Sequence, residues 1–205
     1  MLTIHHLGLS QSERIIWLCE ELGVPYELIR YEREPSMAAP PAYKALHPVG
    51  TAPIITDGEV VLAETCAIVE YIIRKYGGGR LILGPDHPDF AEYLFWFHYA
   101  NGTFVAAFMM DMTAKRLGGP PMSGRTDLGF KVIEERLGKA KWFAGDEFTA
   151  ADILMVFPLT RARLVSDRDI SGMPNLLAYL KRIGERPNFR KAMAIAEPNM
   201  PPRLD

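Results

Sequence analysis

Cysteine is scarce in this chain of 205 residues, which contains only Cys19 and Cys66. They form no CxxC pair, so the sequence predicts neither a disulfide framework nor a cysteine-based zinc site. Both lie in apolar helical patterns, and we interpret them as buried structural thiols. The adjacent His5 and His6 occupy a predicted strand, where neighbouring side chains point to opposite faces. They cannot chelate together, and we therefore expect no metal site.

Excess charge and long apolar runs are also missing. The net charge of -2 gives no electrostatic reason to expect nucleic acid or an acidic membrane surface as a partner. No window approaches about 20 uninterrupted apolar residues, so we predict no membrane-spanning segment. Residues 1–20 lack a basic start and a long apolar core. We therefore expect no secretory signal and a cytoplasmic location.

Strand and helix patterns alternate at the beginning of the chain. Residues 2–6 suit a short strand, residues 12–22 carry the broad apolar stripe of a helix, and residues 26–31 suit a second strand. Gly23 is a typical helix stop. Because a helix crosses between the two strands, the sequence predicts a parallel βαβ unit.

A hairpin and a further helix follow a loop rich in proline and alanine at residues 34–43, where we expect at most one helical turn. Residues 53–56 and 60–63 are short apolar strands joined by an Asp-Gly pair, a strong hairpin signal. Residues 64–76 have helical periodicity and are followed by three glycines. The order up to this point is βαβ followed by ββα.

Strand patterns end there, and the remainder has helical periodicity. Glycine and proline at residues 78–89 predict a linker. The helices that we predict after it span residues 90–117, 127–141, 150–165, 174–185 and 188–196. The predicted fold class is α/β plus all-α, with an α/β domain at residues 1–77 and an all-helical domain at residues 90–205.

The start of the helix at residue 150 carries a folding signal. Thr149-Ala-Ala-Asp152 has the spacing of a capping box, with Asp in place of the usual Glu or Gln. Phe148 before the cap and Ile153 after it fit a hydrophobic staple. We therefore assign a structural role to Asp152.

Ser10 is the candidate for chemistry, because it lies in the loop between the first strand and the first helix. The amides and dipole at a helix N-terminus favour an anion or a thiolate. The pattern alone leaves two readings open, since serine is also a common N-cap residue. Ser12, two positions further on, is a competing hydroxyl donor.

Four segments match known motifs in the same order along the chain. They are SQSERIIWLCEELGVPYE, HPVGTAPII for the turn written NPxGxVPxL, LAETCAIVEYI for LxESxAIxxYL, and FTAADI for a capping box. Together they resemble the cytosolic glutathione transferases of the serine type, over essentially the whole chain. The resemblance implies a thioredoxin-like, glutathione-binding domain followed by the all-helical domain.

The resemblance also implies a catalytic residue. Ser10 stands where serine-type members donate a hydrogen bond to the glutathione thiolate, and Arg14 matches the basic residue four positions on. Position 10 is not cysteine, and no tyrosine occurs before Tyr26, so the cysteine-type and tyrosine-type arrangements are not expected. Ser12 remains the alternative donor.

The glutathione-binding residues implied by the resemblance are Thr51, Ala52, Pro53, Glu64 and Thr65. Pro53 matches the family's cis-proline, and the backbone before it pairs with the cysteinyl part of glutathione. Glu64 would hold the γ-glutamyl ammonium, and Thr65 with the helix-start amides would hold the carboxylate. A strand-initiating proline and an ordinary helix cap are the plainer interpretations of these residues.

Thr51 stands where the family often has a basic residue, so the resemblance leaves open what holds the glycine carboxylate of glutathione. Lys44 is one substitute. For the electrophile pocket, the candidates are Leu9, Phe104, Phe108 and Met112. Interdomain core or dimer contact is the alternative interpretation of each of the residues on the long helix.

The implied function is that of a glutathione S-transferase, which stabilises the glutathione thiolate for attack on small hydrophobic electrophiles in detoxification. Glutathione is then a co-substrate, no metal is needed, and a cytoplasmic homodimer without nucleic-acid or membrane partners is expected. Peroxide or disulfide reduction by the same thiolate is an open variant. The alternative is a non-catalytic ligand-binding or assembly module that keeps the fold.

Overall fold

The computed structural model describes residues 1–120, 124–161, 163 and 168–205. Within these ranges the chain forms two compact units. The first comprises Met1–Arg80 and Arg186–Pro201, and the second comprises Leu81–Glu185 and Pro202–Asp205. No helix in the described ranges combines the length and apolar character needed to cross a membrane.

The first unit is built on a four-stranded mixed sheet. Its elements are β1 (Leu2–Leu7), α1 (Glu13–Leu22), β2 (Glu27–Tyr31), α2 (Pro41–Lys44), β3 (Ile54–Asp57), β4 (Val60–Ala63), α3 (Thr65–Tyr76) and, after the second unit, α9 (Pro187–Ala196). The strand order is β2-β1-β3-β4, with β1 parallel to β2 and the other neighbours antiparallel. This confirms the predicted βαβ–ββα order, and α2 is the single helical turn expected in the loop.

The second unit is helical in its described parts. Its elements are α4 (Phe90–Tyr99), a π-helical segment (Ala100–Val105), α5 (Ala106–Arg116), α6 (Arg125–Leu137), α7 (Ala150–Thr160) and α8 (Pro174–Glu185). The α6 helix ends before Gly138, earlier than predicted. Positions 162, 164 and 165 of the helix predicted at 150–165 lie outside the described residues.

The last helix belongs to a different unit from the one that we predicted. The sequence assigned residues 90–205 to one helical domain, but α9 packs on α1 in the first unit. The Phe189 ring lies edge-on against Trp17, with 4.8 Å between centroids. The Arg186 guanidinium donates two hydrogen bonds of 2.8 Å to the Glu21 carboxylate. A periodic pattern reveals that a helix has an apolar face, but not which unit covers that face.

The capping box before α7 is present as predicted. The Thr149 hydroxyl accepts a hydrogen bond from the amide of Ala151, and the Thr149 amide donates to Asp152 over 2.9 Å. Asp152 also accepts from the amide of Phe143 and the hydroxyl of Tyr179. Burial raises the pKa of this carboxyl to about 6 against the effect of these donors. The carboxyl holds the start of α7, which is a structural role.

The helix predicted over residues 90–117 is interrupted by the π-helical segment. A π turn adds a residue to the helical repeat and so changes which side chains face inward. Phe104, inside that segment, is completely buried, and its ring packs edge-on against Phe130 at 5.2 Å between centroids. Gly129 on α6 leaves room for this ring, since a Cβ there would lie 2.6 Å from Phe104 Cδ2.

We predict that Gly129→Ala lowers the free energy of unfolding by about 1–3 kcal/mol, because a buried phenylalanine ring would have to move. Gly102→Ala is the matched control, since no atom lies within 4 Å of a Cβ at that helical position. It should be neutral or stabilising by up to about 1 kcal/mol. Urea denaturation of both variants measures the difference, and equal stability would contradict this packing.

Candidate active site

The sheet register brings three segments to one end of the first unit. His5, near the end of β1, pairs with Ile54 at the start of β3, and Ile54 pairs with Ala63 at the end of β4. The loop after β1, the residues before β3 and the start of α3 therefore leave the sheet at the same end. These segments carry Ser10, the Ala52-Pro53 pair and the Glu64-Thr65 pair, which the family resemblance predicted as site residues.

The two serines in the loop after β1 have different surroundings. Ser10 is 6% exposed, and its hydroxyl donates to the Leu7 carbonyl over 2.7 Å. Ser12 is completely buried, and its Oγ lies 2.8 Å from Nδ1 of His6. The two hydroxyl oxygens are 2.7 Å apart. Ser10 therefore forms the outer end of a short hydroxyl chain, and Ser12 forms its inner member.

Neither serine caps α1 with its side chain. The helix begins at Glu13, one residue later than the start at residue 12 that its apolar stripe predicted. Ser12, in the N-cap position, makes no side-chain cap hydrogen bond. The Ser10 hydroxyl accepts a hydrogen bond of 3.3 Å from the amide of Ser12, a residue that precedes the helix. Ser12 rather than Ser10 therefore occupies the N-cap position of α1, and backbone carbonyls accept the first amide hydrogen bonds of that helix.

The start of α3 lies beside this loop. The buried Thr65 hydroxyl donates to Gln11 Oε1 over 3.1 Å, and Arg14 Nη1 donates to the same oxygen over 3.0 Å. Burial lowers the pKa of Arg14 to about 9, while Cys66 and Glu13 act to raise it. The sequence analysis missed Gln11, and its only signal there was a polar side chain next to Ser10.

Glu64 precedes α3 with an exposed side chain and a backbone φ of 73°. A positive φ is uncommon for a residue with a side chain, and such conformations concentrate at functional sites. In the segment before β3, the Ala52–Pro53 peptide bond is cis, with Pro53 buried. The two predicted features therefore both depart from ordinary backbone geometry.

The turn before Pro53 carries Thr51, which is exposed. Lys44, also exposed, lies against the same turn, because a Cβ at Gly50 would be 3.5 Å from Lys44 Cγ. Tyr43 anchors the preceding α2. Its side chain is completely buried, and its hydroxyl donates to the His5 carbonyl over 3.3 Å.

The four candidates for the electrophile pocket lie in different environments. Leu9, in the first unit, is 36% exposed. Phe108 and Met112 line a cavity of about 350 Å³ in the second unit. Phe104 is 0% exposed and belongs to the core around Phe130, so its prediction as a pocket residue is wrong. Core and pocket faces of a long helix carry the same apolar residue types, which is why the sequence did not separate them.

Glu197, which follows α9, is buried at the site and 7% exposed. Its carboxylate accepts hydrogen bonds from the Leu9 amide and from Arg30 Nη2, and lies 3.5 Å from His6 Nε2. Burial raises the pKa of Glu197, but these donors and the charges of His6 and Arg30 lower it to about 2. Arg33 holds the same loop by donating to the carbonyls of Gly8 and Leu9.

Titration of Glu197 should make stability pH-dependent. Its pKa in the folded protein is about 2 against an ordinary value of 4.5, so its contribution is complete above pH 4.5 and is lost as the pH falls toward 2. Glu197→Gln should unfold more easily at neutral pH, by on the order of 2 kcal/mol, because it loses charged hydrogen bonds.

The measurement is urea denaturation of both proteins across the acid range. The stability of the Glu197→Gln variant should fall less steeply with acid than that of the natural sequence. Glu135→Gln, which changes an exposed glutamate on α6, is the control and should match the natural sequence throughout. Parallel acid dependence of Glu197→Gln and the natural sequence would contradict the assignment.

In the described ranges, no three His, Cys, Asp or Glu side chains are grouped as a metal site requires. Cys19 is buried and Cys66 is partly buried, and burial raises the pKa of both thiols.

Comparison with known proteins agrees with this geometry. The family models described as the N-terminal and C-terminal domains of glutathione S-transferase match residues 10–75 and 123–187. Glutathione S-transferase 3 of Schizosaccharomyces pombe is 33% identical, over 97% of this chain and 89% of its own. The chain belongs to the glutathione S-transferase family.

Other family members match at similar levels. Glutathione S-transferase GstB of Escherichia coli is 30% identical over 91% of this transferase and 94% of its own chain. The crystal structure of a glutathione S-transferase from Actinobacillus pleuropneumoniae has a TM-score of 0.86 and 30% identity, and covers all of this chain. These likenesses confirm the predicted family and fold class, a thioredoxin-like domain with a helical domain.

Proposed function

We propose that this transferase holds the thiolate of glutathione with the Ser10 hydroxyl and directs it to small hydrophobic electrophiles. The glutathione S-transferase function and glutathione as its co-substrate follow from the family. The observation that supports the role of Ser10 is its position. It is the outer hydroxyl at the sheet end where the Pro53 turn and the start of α3 also lie.

The reaction requires only a modest stabilisation of the glutathione thiolate relative to the thiol. A free thiol has a pKa near 8.5, so only a few per cent is ionised at neutral pH. Lowering that pKa by one unit takes about 1.4 kcal/mol. A hydroxyl donor near a helix N-terminus supplies a stabilisation of that size. Ser10 would donate to the sulfur and would not itself attack the substrate, so it needs no catalytic base.

Burial favours Ser10 over Ser12 as the donor. Ser12 is completely buried and its hydroxyl oxygen is already within hydrogen-bond distance of His6. A sulfur atom could reach Ser12 only if Ser10 moved away. The proposal therefore assigns the thiolate contact to Ser10.

The rest of glutathione would occupy the neighbouring segments. The backbone of Ala52, before Pro53, would pair with the cysteinyl part as an added strand does. The amides at the start of α3 would hold the γ-glutamyl carboxylate, with Thr65 beside them, and the exposed Glu64 would hold the ammonium.

The glycine carboxylate of glutathione is proposed to lie at the Thr51 turn. Thr51 offers a hydroxyl there, and the exposed Lys44, whose stem lies against Gly50, offers a positive charge. Phe108 and Met112 remain the candidates for electrophile contacts, and Leu9 remains a candidate from the sequence. We also propose a cytoplasmic homodimer that acts in detoxification.

Ser10→Ala should raise the pKa of the bound glutathione thiol and lower kcat/KM at neutral pH by about 10- to 100-fold, the effect of losing one charged hydrogen bond. Ultraviolet absorbance of the thiolate, titrated in the complex, gives the pKa. Folding should be nearly unchanged. Ser36→Ala, in the exposed loop before α2, is the control and should behave as the natural sequence does.

The substrates for this test are an aryl halide, an epoxide, an organic hydroperoxide and a small disulfide. Turnover of the latter two would extend the function to peroxide or disulfide reduction. A normal thiol pKa in Ser10→Ala would contradict the role of Ser10. Glutathione binding without turnover of any substrate by the natural sequence would favour the non-catalytic ligand-binding alternative.

A further inference from the structure

A run of buried polar groups leads from the segment after α9 to Ser10. The Glu197 carboxylate lies 3.5 Å from Nε2 of His6. On the other side of the imidazole ring, Nδ1 is 2.8 Å from Ser12 Oγ, and Ser12 Oγ is 2.7 Å from Ser10 Oγ. His6 and Ser12 are both completely buried. The thiolate chemistry proposed above uses only the last of these groups.

The neighbours of His6 fix the proton on one ring nitrogen. Nε2 lies 3.0 Å from the carbonyl oxygen of Ala196. A carbonyl oxygen only accepts hydrogen bonds, so Nε2 must carry a hydrogen in both charge states of the ring. The proton that distinguishes the two charge states of His6 is therefore carried on Nδ1, the nitrogen that faces Ser12.

That charge state sets the direction of the hydroxyl chain. In the neutral ring Nδ1 accepts, so Ser12 donates to His6 and its oxygen is free to accept from Ser10. The Ser10 hydrogen is then drawn inward. In the protonated ring Nδ1 donates to Ser12, and Ser12 in turn can donate to Ser10. The Ser10 hydrogen then points away from Ser12, toward a ligand or the Leu7 carbonyl.

The charged groups around His6 come from several elements. The Glu197 carboxylate, after α9, lies 3.5 Å from Nε2 of His6. Arg30, which pairs with His6 in the register of β1 and β2, donates hydrogen bonds to that carboxylate and to the Ala196 carbonyl. His5, on β1 itself, bonds Tyr31 and Thr56.

We propose that His6 is a positioning residue for the transferase reaction, which acts through Ser12 to turn the Ser10 hydroxyl toward the glutathione sulfur. This inference rests on the proposed role of Ser10 as the thiolate donor. Glu197 and the Ala196 carbonyl hold the imidazole in place. A hydroxyl that accepts a hydrogen bond is also a stronger donor, because chains of hydrogen bonds polarise one another.

The test compares full-length variants by the pKa of the glutathione thiol in the complex and by kcat/KM against pH. His6→Gln extends an amide toward the Ala196 carbonyl and removes the contact with Ser12. Ser12→Ala removes the link itself. Each should lower the fraction of bound thiolate at neutral pH by about three- to ten-fold, the effect of one weakened hydrogen bond. His6→Asn restores a donor near the position of Nδ1 and should recover part of this loss.

The double variant His6→Gln/Ser12→Ala should lose no more thiolate than the more affected single variant, since both changes break one chain. His5→Gln is the matched control. It changes the neighbouring histidine on the opposite face of the same strand and should leave the thiol pKa unaltered. Thermal denaturation identifies variants that fail to fold. If His6→Gln fails to fold, Ser12→Ala and His6→Asn are compared with the natural sequence instead.

The outcomes separate this inference from the proposed function. If Ser10→Ala raises the bound-thiol pKa while His6→Gln and Ser12→Ala leave it unchanged, the role of His6 is overturned and that of Ser10 stands. Additive losses in the double variant would also overturn it, because His6 would then act by another route. If Ser10→Ala has no effect, the proposed function fails first.

Discussion

The buried carboxylate of Glu197 is the constraint on which the site depends. It accepts from the Leu9 amide and from Arg30, and it faces His6. These contacts fasten the segment after α9 to the loop that carries Ser10. A buried charge is costly unless it is paired and hydrogen-bonded, and here these partners belong to β1, β2 and the loop after β1. Glu197 thus holds this loop together with Arg33, which donates to the carbonyls of Gly8 and Leu9.

The sequence allowed Ser10 to be either a helix cap or a catalyst. The helix starts at Glu13 with Ser12 in the N-cap position, and the Ser10 hydroxyl donates to the Leu7 carbonyl. The hydroxyls of Ser10 and Ser12 also form a chain with His6. Burial separates their roles, since Ser12 is enclosed between two partners while Ser10 retains some exposure.

Local sequence patterns predicted much of the fold. The Asp-Gly pair located the β3–β4 hairpin, and the capping box placed the start of α7 correctly at Ala150. Motif order also led to Ser10, Pro53 and Thr65. The hairpin and capping signals depend only on residues that are close together in sequence. The site residues were recognised because they belong to family motifs.

Contacts between distant residues were not predictable in the same way. Glu197 and Leu9 are 188 positions apart, and no periodicity connects them. The packing of α9 on α1 and the burial of Phe104 against Phe130 depend on which apolar faces meet. Gln11 was given no role from the sequence, and its role appears only once Thr65 and Arg14 are seen to donate to the same oxygen.

A crystal structure of the complex with glutathione would show which hydroxyl holds the thiolate. We expect the glutathione sulfur within hydrogen-bond distance of Ser10 Oγ, with Ser12 still bonded to His6 and the γ-glutamyl group at the start of α3. A sulfur bonded to Ser12 with Ser10 displaced, or glutathione bound away from this end of the sheet, would contradict this expectation.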